Sequence, residues 1–311
     1  MSNKVRNALD IVQKNGVKEL IYKVDAHIRV NMAANANRRY NHWKNGQNYN
    51  ADGFHIFDED WDNLIVLDAC RFDAFSRVNT LDGKLESRIS RASTTEEWIR
   101  ANFDNEVHSD TVYISDNPWY GRLFEELESD LHHYQIGNRD AFNGAVTHPK
   151  TMTDLAIEQS KEFENKRTII HYLQPHDPWF TEGGKELFAL PNTSPHMLKR
   201  NGYSEDEMKQ AYESSLKLVL NQVERLLQQL NGKTVITADH GELLNDRMTP
   251  IPLKRYEHPE GVYTESLTKV PWFIPEYNER KDTVDGGVGG WKWDDPDREG
   301  VKKQLESLGY I

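Results

Sequence analysis

A chain of 311 residues, 28% charged and 37% hydrophobic, can bury the core of one large α/β domain or two smaller ones. It holds no apolar run near the about 20 residues that span a bilayer. Its start, MSNKVRNALDIVQKNG, lacks the apolar core and small-residue cleavage site of a secretory signal, so the expectation is a cytoplasmic protein. The single cysteine, Cys70, excludes an intrachain disulfide, and a net charge of −12 argues against a nucleic-acid-binding face.

Residues 1–45 carry nine Lys/Arg against three Asp/Glu, a net +6 that leaves −18 for the rest. Val5, Leu9, Val12, Val17, Leu20, Ile21, Val24 and Ile28 follow an approximately helical period broken at Asn15-Gly16, so residues 1–59 read as a basic amphipathic helical extension. Such a helix either packs on its own domain or makes a peripheral contact with an anionic membrane, which would place the protein at the inner membrane surface. From residue 60 to 311, short β-branched runs alternate with helical patterns, which predicts a mainly parallel sheet covered by helices. The strands are expected at Asn63–Leu67, Thr111–Ile114, Arg167–Tyr172, Lys233–Ala238 and Val270–Ile274. The clearest helix carries Tyr212, Leu216, Val219, Leu220, Val223, Leu227 and Leu230 on one face and closes at Asn231-Gly232. An Asp- and Gly-rich excursion over 280–298 precedes a short final helix near Val301–Leu308.

Ligands of open α/β sheets gather beyond the carboxyl ends of the strands, which gives weight to the polar residues just after each apolar run. Leu67 is followed by Asp68, Ile170 by His171 and then His176, and Ile236 by Asp239 and His240, with His258 shortly before the last strand. Carboxylate and imidazole together suit a divalent metal ion such as zinc or manganese. Taken singly, each has an ordinary structural explanation: Asp239 a helix cap, Asp68 a turn residue, His176 a loop residue and His258 a surface ion pair. A hydroxyl nucleophile is sought among Ser93, Thr94 and Thr95, at the start of a helical pattern whose amide dipoles favour an anion. Ser93 with Glu96 and Thr94 with Glu97 also spell capping boxes, which need no chemistry.

Together these segments resemble the alkaline phosphatase and sulfatase superfamily, specifically its sulfatase-like branch. The resemblance is carried by Asn63-Leu-Ile-Val-Leu-Asp-Ala-Cys-Arg-Phe-Asp73, by His171-Tyr-Leu-Gln-Pro-His-Asp-Pro-Trp-Phe180, by Thr237-Ala-Asp-His-Gly-Glu242 and by Tyr256-Glu-His-Pro259 ahead of a Val270-Pro271 strand. It implies a three-layer alkaline-phosphatase-like α/β fold and a metal-dependent hydrolase or transferase acting on a phosphate or sulfate ester of a small molecule, glycan or lipid head group. It assigns Asp68, Thr94, Asp239, His240 and His258 to a zinc, manganese or calcium ion, catalysis to Thr94, His176 and His258, and substrate contact to Arg71 and His171. The departures are Ala69, where calcium sulfatases carry a second aspartate, and the lack of a Cys-x-Pro-x-Arg motif, so Cys70 reads as a core thiol. A hydroxyl nucleophile brings the chain nearer to the phosphoryl-transferring members; the alternatives are a formylglycine-independent glycan sulfatase and an inactive ligand-binding member. Trp119, Tyr120, Trp179 and Phe180 are candidates for lining a sugar or lipid pocket.

Overall fold

The computed structural model describes residues 28–137, 147–179 and 202–286. The helical pattern before Ile28, Phe180, residues 287–298 and the final helix expected at Val301–Leu308 lie outside them. The strands are β1 (Asn63–Leu67), β2 (Gly83–Ile89), β3 (Val107–Ser115), β4 (Asp130–Ile136), β5 (Arg167–Tyr172), β6 (Thr234–Thr237), β7 (Leu243–Arg247), β8 (Lys254–Glu257) and β9 (Lys269–Pro275). Seven of them form one sheet in the order β2-β9-β6-β1-β5-β3-β4, and β7 and β8 form a separate ribbon. From β6 to β4 every pairing is parallel; β9 runs antiparallel to both its neighbours.

The helices are α1 (28–45), α2 (Phe72–Val78), α3 (Thr95–Phe103), α4 (Trp119–Leu123), α5 (Pro149–Glu162), α6 (Glu205–Leu227) and α7 (Glu265–Thr268). β1 is apolar along nearly its whole length because both of its faces are covered. Ile65 and Leu67 point into a core shared with Phe75 of α2, Met152 of α5 and Leu216 of α6. The alternate residues Leu64 and Val66 point into a second core, built with Trp98 of α3 and Trp119 of α4. This period-two division produces the expected three layers.

α6 starts at a capping box in which Ser204 accepts the Glu207 N–H and the Glu207 carboxylate accepts the Ser204 N–H. Midway along it, Tyr212 reaches under the turn after β1. Its hydroxyl donates to the Ala69 carbonyl at 2.7 Å and accepts the Arg71 N–H at 2.9 Å. Ala69 needs that clamp, since its φ of 59° lies in the left-handed region that disfavours a residue with a Cβ. Replacing Tyr212 with Phe should cost about 1–3 kcal/mol, because a buried carbonyl and an amide lose their partner at once. Urea denaturation measures this, and an unchanged midpoint would mean that the clamp bears no strain.

The described part of the extension packs on the domain. Ala33 and Ala34 of α1 contact Leu243, Met248, Val262 and Leu267. Asn37 exchanges two hydrogen bonds with the Ile251 backbone, and Asn41 donates to the Gly261 carbonyl. Residues 50–54 then run beside the end of β2, where Phe54 bridges to Ser90. The packing therefore continues through residue 60. Among the described residues, no helix is long and apolar enough to cross a membrane.

Candidate metal centre

Because β6, β1, β5 and β3 are parallel neighbours, their carboxyl ends share one edge of the sheet. Asp68 follows β1, His171 lies near the end of β5, Asp239 and His240 follow β6, and Asn117 follows β3. Asp68, His171 and Asp239 offer ligand atoms all within 4.8 Å of one another, and all three side chains are fully buried. His240 Nε2 lies 3.3 Å from Asp239 Oδ2 and 3.7 Å from Asp68 Oδ1.

Asp239 and His240 are held in place by the backbone, Asp68 by the Asn117 amide and His171 by the Tyr113 hydroxyl. Asp239 Oδ1 accepts N–H groups from Ala69 at 3.0 Å and from His240 at 2.8 Å, which leaves Oδ2 turned to the centre. His240 Nδ1 donates to the Gly241 carbonyl at 2.8 Å, a bond that fixes the tautomer and leaves the Nε2 lone pair facing the carboxylates. Gly241 is required by proximity: a Cβ there would lie 2.1 Å from the Ser266 carbonyl oxygen. Its φ is not in the left-handed region, so the close approach of α7, and not a special turn, explains the glycine.

The charges in this pocket do not balance. Burial, and then the neighbouring Asp239 carboxylate, pushes the Asp68 carboxyl well above the ordinary carboxylate range. The adjacent imidazoles give no compensating charge, since burial lowers His171 to about 4 and drives His240 well below its usual value. Asp68 Oδ1 and His171 Nε2 are buried atoms without a hydrogen-bond partner. Two buried carboxylates, two neutral imidazoles and two orphaned ligand atoms are the donor set that a divalent cation satisfies.

The hydroxyl at this centre belongs to Thr95. Its Oγ1 donates to Asp239 Oδ2 at 2.8 Å, lies 3.4 Å from His240 Nε2 and accepts from the Asn117 amide at 3.3 Å. Thr94, the residue chosen from the sequence, is instead the N-cap of α3 and spends its hydroxyl on the Glu97 N–H. Ser93 is buried between the Glu97 carboxylate and the Pro259 carbonyl. Arg71 and His171, expected to contact substrate, are both engaged within the protein. Arg71 holds Asp73, Asp246 and the Glu242 carbonyl together, so its guanidinium is committed within the loop. His171 is fully buried, with Nδ1 paired to the Tyr113 hydroxyl at 2.8 Å. Cys70 is a buried core residue whose thiol burial pushes up, with Asp239 and Asp73 adding to the effect.

His176 and His258 stand apart from the carboxylate cluster. Their rings are 5.0 Å from each other, and that of His258 is 4.7 Å from the ring of His240. His258 Nδ1 faces Glu242 Oε2 at 3.0 Å. Burial, aided by His176, lowers His258 to about 4. His176 moves the other way: burial opposes its charge, but Asp177 and Glu242 outweigh that and raise it. Both rings line a cleft of about 1070 Å³ whose wall also includes Thr95, Trp119 and Arg255, with His42 and residues 47–49 from the extension. Of the other aromatics expected there, Tyr120 and Trp179 are core residues.

Two members of the constellation, Asn117 and Glu242, had no role in the sequence reading. Asn117 donates to both Asp68 Oδ2 and Thr95, and its signal was its place just after an apolar strand. Glu242 sits in the quoted Asp-His-Gly-Glu segment and orients His258.

No protein-family model and no curated protein sequence matches the chain. The course of the chain is similar to that of several solved structures. The C-terminal periplasmic domain of a phosphoethanolamine transferase from Campylobacter jejuni is 12% identical, with 68% of this chain and 77% of that one covered at a TM-score of 0.45. A protein in the alkaline phosphatase superfamily from Vibrio parahaemolyticus is 10% identical, with 76% and 65% covered and a TM-score of 0.43. The integral membrane lipooligosaccharide phosphoethanolamine transferase A from Neisseria meningitidis is 12% identical, with 87% and 58% covered and a TM-score of 0.41. These are likenesses of chain course alone.

Proposed function

We propose that this chain is a metal-dependent hydrolase or transferase of phosphate or sulfate esters that works through the Thr95 hydroxyl, with phosphoryl transfer as the preferred chemistry. The observation that carries the reading is Thr95 Oγ1, set 2.8 Å from Asp239 Oδ2 at the first residue of α3, with Thr95 in the wall of the cleft. Asp68, His171, Asp239 and His240 would hold the ion, and their mixture of nitrogen and oxygen donors favours zinc or manganese over calcium. Bound there, a divalent ion supplies Lewis acidity that lowers the pKa of a nearby hydroxyl and stabilises negative charge on an ester oxygen.

The protein's own groups divide the remaining work. The Asp239 carboxylate accepts the Thr95 proton as the hydroxyl oxygen attacks phosphorus in line. His176, whose pKa Asp177 and Glu242 raise against burial, would donate to the leaving oxygen. His258, its Nδ1 turned to Glu242, lines the cleft beside His176. The first-turn amides of α3 favour the same anion. The phosphothreonine so formed passes its phosphoryl group to water or to an acceptor hydroxyl.

The test is a panel of aryl phosphate monoesters, diesters and sulfates, assayed after chelation and after adding back zinc or manganese. The expected result is turnover of at least one ester that chelation abolishes and metal restores, with phosphate trapped on Thr95 by mass spectrometry after a rapid quench. Turnover that survives chelation, or no turnover under any metal, would overturn the reading.

A further inference from the structure

The face of α1 that looks away from the domain interleaves large apolar side chains with Arg29, Asn35 and Arg39, all of them exposed. Trp43 is 78% exposed and Met32 65%, and exposed Ile28 and Tyr40 lie on the same side, opposite the buried Ala33, Ala34, Asn37 and Asn41. In a globular protein the helix side turned to water is normally polar, so four large exposed apolar side chains among these polar ones are unusual. Arg29, Arg39 and Lys44 are exposed around them; Lys44 lies 4.0 Å from Asp52, and Arg38, on the flank, pairs with Glu260.

Charge decides what covers this face. Residues 28–45 contain four Lys/Arg and no Asp or Glu, in a chain whose net charge is −12. A second copy of this acidic chain offers poor complementarity, whereas an anionic lipid surface offers both an apolar interior for Trp43 and Met32 and phosphates for the interleaved basic side chains. Trp and Tyr also suit the head-group level, where one end of the ring is dry and the other wet. The position of the helix adds a second observation. Just beyond Trp43, residues 47–49 form part of the cleft wall, with His42 beside them, so whatever α1 lies on is next to the mouth of the cleft.

We propose that the outer face of α1 docks on an anionic lipid surface, with Ile28, Met32, Tyr40 and Trp43 entering the head-group region and Arg39 and Lys44 meeting lipid phosphates. The cleft then opens beside the lipid plane.

The experiment is co-sedimentation of the full chain with vesicles of phosphatidylcholine alone or mixed with phosphatidylglycerol, comparing wild type with Met32→Glu/Trp43→Glu. Circular dichroism verifies that both proteins are folded. Wild type should bind the mixed vesicles, release them as salt is raised and ignore phosphatidylcholine alone; the double variant should bind at least about tenfold more weakly. Equal binding by a folded double variant, or no binding by wild type, overturns the proposal. So does a dimer in light scattering that the double variant dissolves, which would make this face an interface between copies. None of these outcomes reads turnover, so vesicle binding and ester cleavage fail independently of each other.

Discussion

Thr95→Ala is expected to lower turnover by about 10⁴-fold or more while the protein keeps its fold and its bound divalent ion. The neighbouring Thr94→Ala should keep turnover within about threefold of wild type and lose about 0.5–2 kcal/mol of stability, the usual cost of an N-cap. The contrast follows from where the two hydroxyls point. Thr95 Oγ1 faces Asp239, His240 and Asn117, whereas Thr94 Oγ1 faces the backbone of its own helix. Thr95→Ser, which keeps the oxygen, should recover much of the rate. Metal content and turnover of the three variants check this together, and a Thr95→Ala protein that turns over normally would remove Thr95 as nucleophile.

The second large effect concerns Asp68. Asp68→Asn should bind no stoichiometric divalent ion and lose turnover by about 10³-fold or more, yet melt higher at neutral pH than wild type stripped of metal. Burial and the Asp239 carboxylate raise the folded-state pKa of Asp68 above its unfolded value near about 3.9. The stability linked to this proton is fully present below the unfolded value and is lost as pH rises through the folded one. Metal-free wild type and Asp68→Asn should therefore melt alike near the ordinary carboxylate range and separate as pH rises, with wild type the lower. Zinc or manganese should lift wild type alone, since only its centre keeps both carboxylates. Calorimetry across pH, with and without metal, measures each part. A wild type that melts above Asp68→Asn without metal at neutral pH would show that the two carboxylates are not in conflict.

What could be read in the sequence follows burial. β1 and β5 fall where the apolar runs put them, at Asn63–Leu67 and Arg167–Tyr172, because a central parallel strand is covered on both faces and must be apolar throughout. β2 and β4 were missed. They are the two edges of the sheet, and GKLESRI and DLHHYQI are mixtures of polar and apolar residues that show no run. Lys254–Glu257 of β8 is invisible for a similar reason: only Tyr256 in it is buried.

The site divides along the same line. Asp68, Asp239 and His240 stand directly after strands, where a chain-order reading finds them. Choosing among Ser93, Thr94 and Thr95 required the phase of α3, because consecutive helical residues point about 100° apart and a start shifted by one residue turns a different hydroxyl to the sheet edge. Arg71 misled for another reason. Its carboxylate Asp246 and the Glu242 carbonyl are distant in sequence and meet it only through the fold.

The cleft is built by two parts of the chain under different constraints. The sheet edge supplies Asp68, Asp239 and His240, and α3 supplies Thr95, all tied to one another and to the surrounding buried groups, so almost any change there damages the centre. The other wall includes His42, Gln47, Asn48 and Tyr49, with Gln47 and Asn48 exposed and none of the four hydrogen-bonded to the centre. Variation can therefore accumulate on that wall while the reactive groups stay fixed. Exchanging residues 47–49 among otherwise conserved chains is the route by which this scaffold would acquire new substrates without rebuilding its chemistry.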